Sequence, residues 1–475
     1  MREVSGTKLW LAVAITVFFA QGVHGRVRPN SLFSENAVLQ QGMSVPVWGT
    51  AADGERVTVS IQGQNVSTTA KSGRWMVRLQ PLKEGGPYEM TINDITIRNI
   101  LVGEVWLASG QSNMVWWLHL SDGGAEAIES STDPMLRLLT VPREPSKRPV
   151  EDVEVSWLES APDTAPDFSA VAYHFGRDLR ESLGCPVGLI SSNVGATRIE
   201  AWTAQDRVEV IPAYAQLLKQ TGNENNMPSV LYNGMIAPLI PYAIRGTIWY
   251  QGEANAVQAQ HYRKSFPALI QSWREKWDQG AFPFLFVQLA PYSATKNRAD
   301  MGFCRSPWAE LREAQRLVSQ TVPKTAMVVI TDCGDPNGIH PKWKKPVGER
   351  LALAARAMVY GESVAWQGPA FRSMSIRGSR VIVEFDHIEG GLVAKDGEIK
   401  GFAVAGADRE FYPARASIVR DRVVVSSDQI AEPEAVRYGW ASCPVVNLFN
   451  KAGLPTSPFR TDDWPMVTAE ASKTD

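Results

Sequence analysis

Six unbroken apolar runs, separated by segments of helical period, fill residues 99–370 of this chain. The runs are Val102–Ser109, Met135–Val141, Val187–Asn193, Ile244–Gln251, Phe282–Leu289 and Ala326–Thr331. A strand that is apolar at every position, rather than at every second one, is buried on both faces. The amphipathic segments Val171–Leu183, Tyr262–Trp277, Trp308–Gln320 and Pro346–Tyr360 supply helices to cover those faces. The pattern predicts an α/β fold built on a parallel sheet.

The flanks differ. Residues 26–98 show no helical period, and Val57-Thr58-Val59-Ser60-Ile61 alternates inward and outward positions, so a small antiparallel β domain is expected. Alternation returns over 371–462, as in Arg380-Val381-Ile382-Val383-Glu384-Phe385, which predicts a second β-rich region. Residues 463–475 read as a polar tail, loose from Thr468.

Residues 1–25 carry Arg2 and Lys8, an apolar stretch from Leu9 to Ala20, and small residues at Val23 and Gly25. That is the layout of a cleaved secretory signal, too short to span about 30 Å of hydrocarbon. A secreted or periplasmic protein is expected, with no membrane attachment after cleavage. Cys185, Cys304, Cys333 and Cys443 are widely spaced without a CxxC pair, which argues against a zinc site; four cysteines allow three full pairings. Lys and Arg number 48 against 50 Asp and Glu, so the charge footprint of a nucleic-acid binder is missing. Sixteen tryptophans are many; they read as core packing, or, for some of them, as flat platforms for sugar rings.

In open parallel sheets, sites form beyond the carboxyl ends of the strands. There the chain places Gly110-Gln111-Ser112-Asn113-Met114, Asn193-Val194-Gly195-Ala196-Thr197 and Trp249-Tyr250-Gln251-Gly252-Glu253-Ala254-Asn255; after the last run come Asp332, Asp335, Asn337 and His340. Acyl transfer through a serine fits this set, because a hydroxyl needs an adjacent base near neutral pH. Of six histidines, His24 lies in the signal, His174 and His261 in helical segments and His387 in the late β region. His119 is a weak rival, and His340 alone follows the last strand. The N–H groups of Ser112 and Gly195 and the Gln251 amide would suit a tetrahedral oxyanion. The alternatives are a positive-φ turn at Gly195 and a strand cap at Gln251.

At these residues the chain resembles the sialate O-acetylesterase family of SGNH-type hydrolases. Further matches are Leu231-Tyr232-Asn233-Gly234-Met235-Ile236-Ala237-Pro238-Leu239, Ile199-Glu200-Ala201-Trp202 and Ile339-His340-Pro341-Lys342. The resemblance implies a three-layer α/β/α, flavodoxin-like core flanked by N- and C-terminal β domains. It implies a secreted carbohydrate esterase that removes acetyl groups from sugar hydroxyls without metal or organic cofactor. Ser112 would be the nucleophile and His340 the base, with Ser112, Gly195 and Gln251 as oxyanion donors. Gln111, Arg198, Glu253, Asn233, Trp202 and Trp116 would bind the sugar. The chain departs from the family at Val115, where Glu is frequent, at Val194-Gly195-Ala196-Thr197-Arg198, and at Gly338, where Asp is frequent. Asp335 is therefore the expected orienting acid, with Asp332 or a backbone carbonyl as alternatives. Arg198 would meet a substrate carboxylate or form a surface salt bridge. A sialate pocket would use such a cation, and an acetylxylan cleft would use Trp116, Trp117 and Trp202. A non-catalytic carbohydrate-binding protein is the rival of another class. No GxSxG elbow points to a lipase.

Overall fold

The computed structural model describes residues 27–209, 224–293 and 305–471. The expected signal segment and Cys304 lie outside them. Six parallel strands form the central sheet: β1 (Ile95–Gly110), β2 (Asp133–Thr140), β3 (Val187–Asn193), β4 (Gly246–Tyr250), β5 (Phe284–Val287) and β6 (Thr325–Val328). Their order is β2-β3-β1-β4-β5-β6, with Leu158–Ser160 antiparallel along the outer edge of β2. Four long helices are α1 (Ala170–Leu183), α2 (Ala259–Trp277), α3 (Pro307–Thr321) and α4 (Lys345–Met358).

Successive strand residues point to opposite faces of the sheet. Trp106 and Ala108 of β1, Ile248 of β4 and Leu285 of β5 pack with Val171 and Phe175 of α1 and Leu351 of α4. Val105, Leu107, Trp249 and Phe286 pack instead with Phe266 and Trp273 of α2 and Leu311 of α3. Both faces are apolar because both carry helices, which is why the strands lack alternation.

The chain leaves β1 toward β3 on one side, then returns to β4 on the other. This reversal parts the loops at the carboxyl ends of β1, β3 and β4, the place where sheets of this kind form their ligand crevices.

The boundary expected at 98/99 falls inside β1, which continues through it. Asn99 takes a left-handed conformation (φ 58°) and bends the strand. From Ile95 to Val102 β1 pairs with Gly85–Ile92; from Glu104 on it pairs with β3, and from Trp106 with β4. Asn99 holds the bend by donating to Asn36 and Glu159 and accepting from Arg137. Asparagine tolerates this backbone better than most side-chain-bearing residues.

Residues 370–460 carry two four-stranded sheets around Val383, Val404, Tyr438 and Phe459. They meet the core at Arg312 of α3, whose buried guanidinium donates to the carbonyls of Leu289, Ala290, Ala441 and Ser442. The segment expected to be loose from Thr468 instead contains a helical turn, Val467–Ala471, where Glu310 accepts from the Val467 and Thr468 N–H groups. No helix among the described residues is long and apolar enough to cross a membrane.

Candidate active site

The end of β1 is shaped by a close approach. Gly110 has φ +139°, and a Cβ there would sit 2.2 Å from the Tyr250 carbonyl oxygen of β4. The chain then makes one helical turn, Ser112–Val115, with Met114 and Val115 N–H donating to the Gln111 carbonyl. The first N–H groups of a helical turn have no partner within it. Ser112 is first in this turn, so its N–H stays available. Gln111 ties the turn to the loop after β4, its Oε1 accepting from Gly252 and Ala254 N–H at 3.4 and 3.2 Å.

His340 arrives on the long loop after β6. Its Nε2 lies 2.8 Å from Ser112 Oγ. The imidazole stacks on Trp116, ring centres 5.3 Å apart and planes 28° apart. Burial, and then the charge of Lys344, lower its pKa below the ordinary 6.5. Gly195 follows β3 and faces the serine, since a Cβ on it would lie 3.4 Å from Ser112 Cβ. The left-handed residue of this loop is Ala196 (φ 58°), so Gly195 is not there for a positive φ.

A family model described as carbohydrate esterase, sialic acid-specific acetylesterase, matches residues 102–356. The human sialate O-acetylesterase is 30% identical over 480 residues, covering 90% of this chain and 91% of the relative. The chain belongs to this esterase family. The mouse sialate O-acetylesterase is also 30% identical, covering 87% of this chain and 90% of the relative. The crystal structure of a carbohydrate acetylesterase from Xanthomonas citri superposes with a TM-score of 0.86 at 40% identity, covering 92% of this chain and all of that one. The chain is a carboxylic ester hydrolase, and its strand-end motifs fall within the matched span.

In this esterase neither expected aspartate bonds to His340. Asp335 Oδ1 accepts from the Asn337 N–H at 2.8 Å and closes its own turn. Asp332 receives both terminal nitrogens of Arg350, at 2.7 and 2.6 Å. Burial alone would raise the Asp332 pKa, but Arg350 outweighs it and holds it below the ordinary value. No carboxylate hydrogen-bonds to His340 among the described residues.

Three other expectations are corrected. Gln251 is fully buried, with both amide N–H groups committed to Thr197 O and Asn255 Oδ1 at 3.1 and 2.7 Å. It has no proton left for an oxyanion. Trp202 is fully buried, donating to Thr197 Oγ1 and packing edge-on against Trp249, so it offers no platform to a sugar. Asn233 is buried and donates to the Ser146 carbonyl. Trp116 backs the histidine, and Gln111 joins two loops. Of the aromatic candidates, Trp117 remains 37% exposed. Arg198 donates its backbone N–H to Asn226 Oδ1, while its guanidinium makes no hydrogen bond or ion pair among the described residues.

The sequence reading missed a polar network beside the pair. Asn113 donates to Glu253 and to the Ile339 carbonyl, and accepts from buried Lys344. Glu253 is thus a network member, its pKa raised by burial against the opposing bond from Asn113. One signal was available: Lys344 immediately precedes α4, where the helix dipole disfavours a cation.

Proposed function

We propose that this esterase hydrolyses O-acetyl esters of sialic acids through Ser112 and His340, and acts as a secreted or periplasmic enzyme. The observation that carries the reading is the 2.8 Å contact between Ser112 Oγ and His340 Nε2. Ser112 Oγ attacks the acetyl carbonyl carbon while His340 Nε2 takes the hydroxyl proton. The oxyanion is received by the Ser112 and Gly195 N–H groups, each worth roughly 2.7–4 kcal/mol of barrier. Collapse breaks the ester C–O bond, His340 returns the proton to the leaving sugar oxygen, and acetyl-Ser112 remains. Water then attacks this ester with His340 again as base, releasing acetate and restoring the serine. Nothing in this cycle needs a cofactor.

The strand order and the helices on both faces support an SGNH-type, flavodoxin-like three-layer core with β-rich flanks. The Arg198 guanidinium, without a hydrogen bond or ion pair among the described residues, supports a substrate carrying a carboxylate, as sialic acids do. An acetylxylan cleft is less well supported, since Trp202 is buried and Trp116 backs His340. The Ser–His contact weighs against a binding-only protein. The test is acetate release from 9-O-acetylated sialic acid and acetylated xylan side by side, with Ser112→Ala as control. Release from the sialic acid alone, abolished in the variant, is expected. Release from xylan alone would move the substrate; release unchanged in the variant would overturn the mechanism.

A further inference from the structure

Among the buried titratable side chains that the mechanism leaves unused, Lys344 stands beside the serine turn. Lys344 is fully buried, its Nζ 5.7 Å from the Trp116 ring centre and 5.5 Å from that of Tyr250. It donates to Asn113 Oδ1, whose amide nitrogen donates to Glu253 and, at 3.0 Å, to the Ile339 carbonyl. Asn113 is bonded in the chain to Ser112, and Ile339 to His340. A buried ammonium is costly compared with an apolar side chain of similar size. At the start of α4 it also meets the positive end of a helix dipole. Two penalties at one position, resolved by a single side chain of the nucleophile turn, call for a functional return.

We propose that Lys344 is a positioning residue of the esterase: through Asn113 it ties the turn bearing Ser112 to the segment bearing His340, and in its protonated form it sets a positive charge beside the pair. The inference rests on the serine–histidine reading given above.

The charged and titratable neighbours are few. Tyr250 and Glu253 face Lys344 from β4 and its loop, and Cys333 from the loop after β6. The serine turn contributes uncharged Asn113 and Trp116. His340 faces Ser112 and Trp116; Lys342 on its own segment is exposed, and Asp332 and Asp335 are engaged elsewhere. Burial lowers the Lys344 pKa to about 7 against the opposing charge of Glu253, so the ammonium is formed over the acidic range where a histidine titrates. There its charge opposes protonation of His340 and keeps the base free at lower pH. The tie aligns the two reacting atoms, and the charge widens the pH range in which they work.

The experiment is the pH profile of kcat/KM for 4-nitrophenyl acetate, with kcat and KM resolved separately. The proteins compared are the wild type, Lys344→Met, Lys344→Arg and Asn113→Asp, with Ser112→Ala and His340→Ala as references. Lys344→Met is expected to move the acid limb up by roughly half a pH unit or more, with kcat falling more than KM rises. Lys344→Arg keeps the charge and should keep the wild-type acid limb. Asn113→Asp sets a carboxylate on Lys344 and should also raise the limb, which tests the charge even if Lys344→Met fails to fold. A wild-type acid limb in Lys344→Met, or in Asn113→Asp where the first does not fold, overturns the proposal. So does an arginine variant that shifts like methionine. Dead Ser112→Ala and His340→Ala beside an unshifted Lys344→Met would remove the proposal alone. Wild-type turnover in those two references would remove the serine–histidine reading and this inference with it.

Discussion

Two glycines at the site face the same substitution with opposite expected results. At Gly195 an added Cβ lies 3.4 Å from Ser112 Cβ and 3.8 Å from its Cα, which is van der Waals contact without overlap, and the backbone is not left-handed. Gly→Ala at a compatible position stabilises by about 0.4–1 kcal/mol through the unfolded chain. Stability of Gly195→Ala should therefore hold or rise slightly. The new methyl, however, occupies the space in front of Ser112 where the acetyl carbonyl must sit, and separates the oxyanion from the Gly195 N–H. Loss of one such donor costs roughly 2.7–4 kcal/mol, a fall of about 10²–10³ in kcat. At Gly110 the added atom would sit 2.2 Å from the Tyr250 carbonyl oxygen at φ +139°, so Gly110→Ala should be destabilised or unfolded. The assay pairs kcat for 4-nitrophenyl acetate with urea denaturation of each variant. A Gly195→Ala enzyme within about threefold of wild-type kcat, folded to wild-type stability, would refute both the oxyanion role and the geometry behind it.

The pH dependence has a definite sign. His340 must be unprotonated to act as base, and its pKa is lowered below 6.5, so kcat/KM should stay level through neutrality and fall only at more acidic pH; a midpoint above 6.5 would contradict the environment described. Asp335→Asn should lower kcat by less than about tenfold, because no bond joins Asp335 to His340, whereas losing a true triad carboxylate costs about 10⁴. Asp332→Asn removes the charge paired with a buried Arg350 and should destabilise by about 3 kcal/mol in urea denaturation near neutral pH. The depressed Asp332 pKa means that its contribution is present above the ordinary carboxylate value and is lost as pH falls through the folded one. The gap between the two proteins should accordingly narrow in acid.

Much of the core was legible because burial on two faces leaves a signature that single residues do not. β3 matched its apolar run end to end, and α1 began one residue before the expected helix. That Ser112 and His340 would meet was legible because both follow strands, at the end of the sheet where loops diverge. What the sequence did not separate was a motif residue that touches substrate from one that braces the loops. Gln251, Asn233 and Trp202 sit in motif segments with Ser112-like polarity or aromatic character, yet all are buried and bonded inward. Asp335 and Asp332 illustrate the same limit, since proximity in sequence to His340 does not fix which way a carboxylate turns. The boundary expected at 98/99 missed the continuity of β1, because composition changes there while the strand runs on through the left-handed Asn99. Lys344 was overlooked because lysines are mostly exposed, although its place before α4 was an electrostatic misfit visible in the sequence.

The central claim is that acetyl transfer passes through Ser112. The most direct measurement is mass spectrometry of the enzyme acid-quenched during turnover of an acetyl ester, with peptides mapped. The account predicts one acetyl group on the peptide carrying Ser112, absent from Ser112→Ala and accumulating in His340→Ala if that variant retains any attack. An enzyme that releases acetate at the wild-type rate with Ser112 replaced, and never carries the acetyl group there, would contradict it.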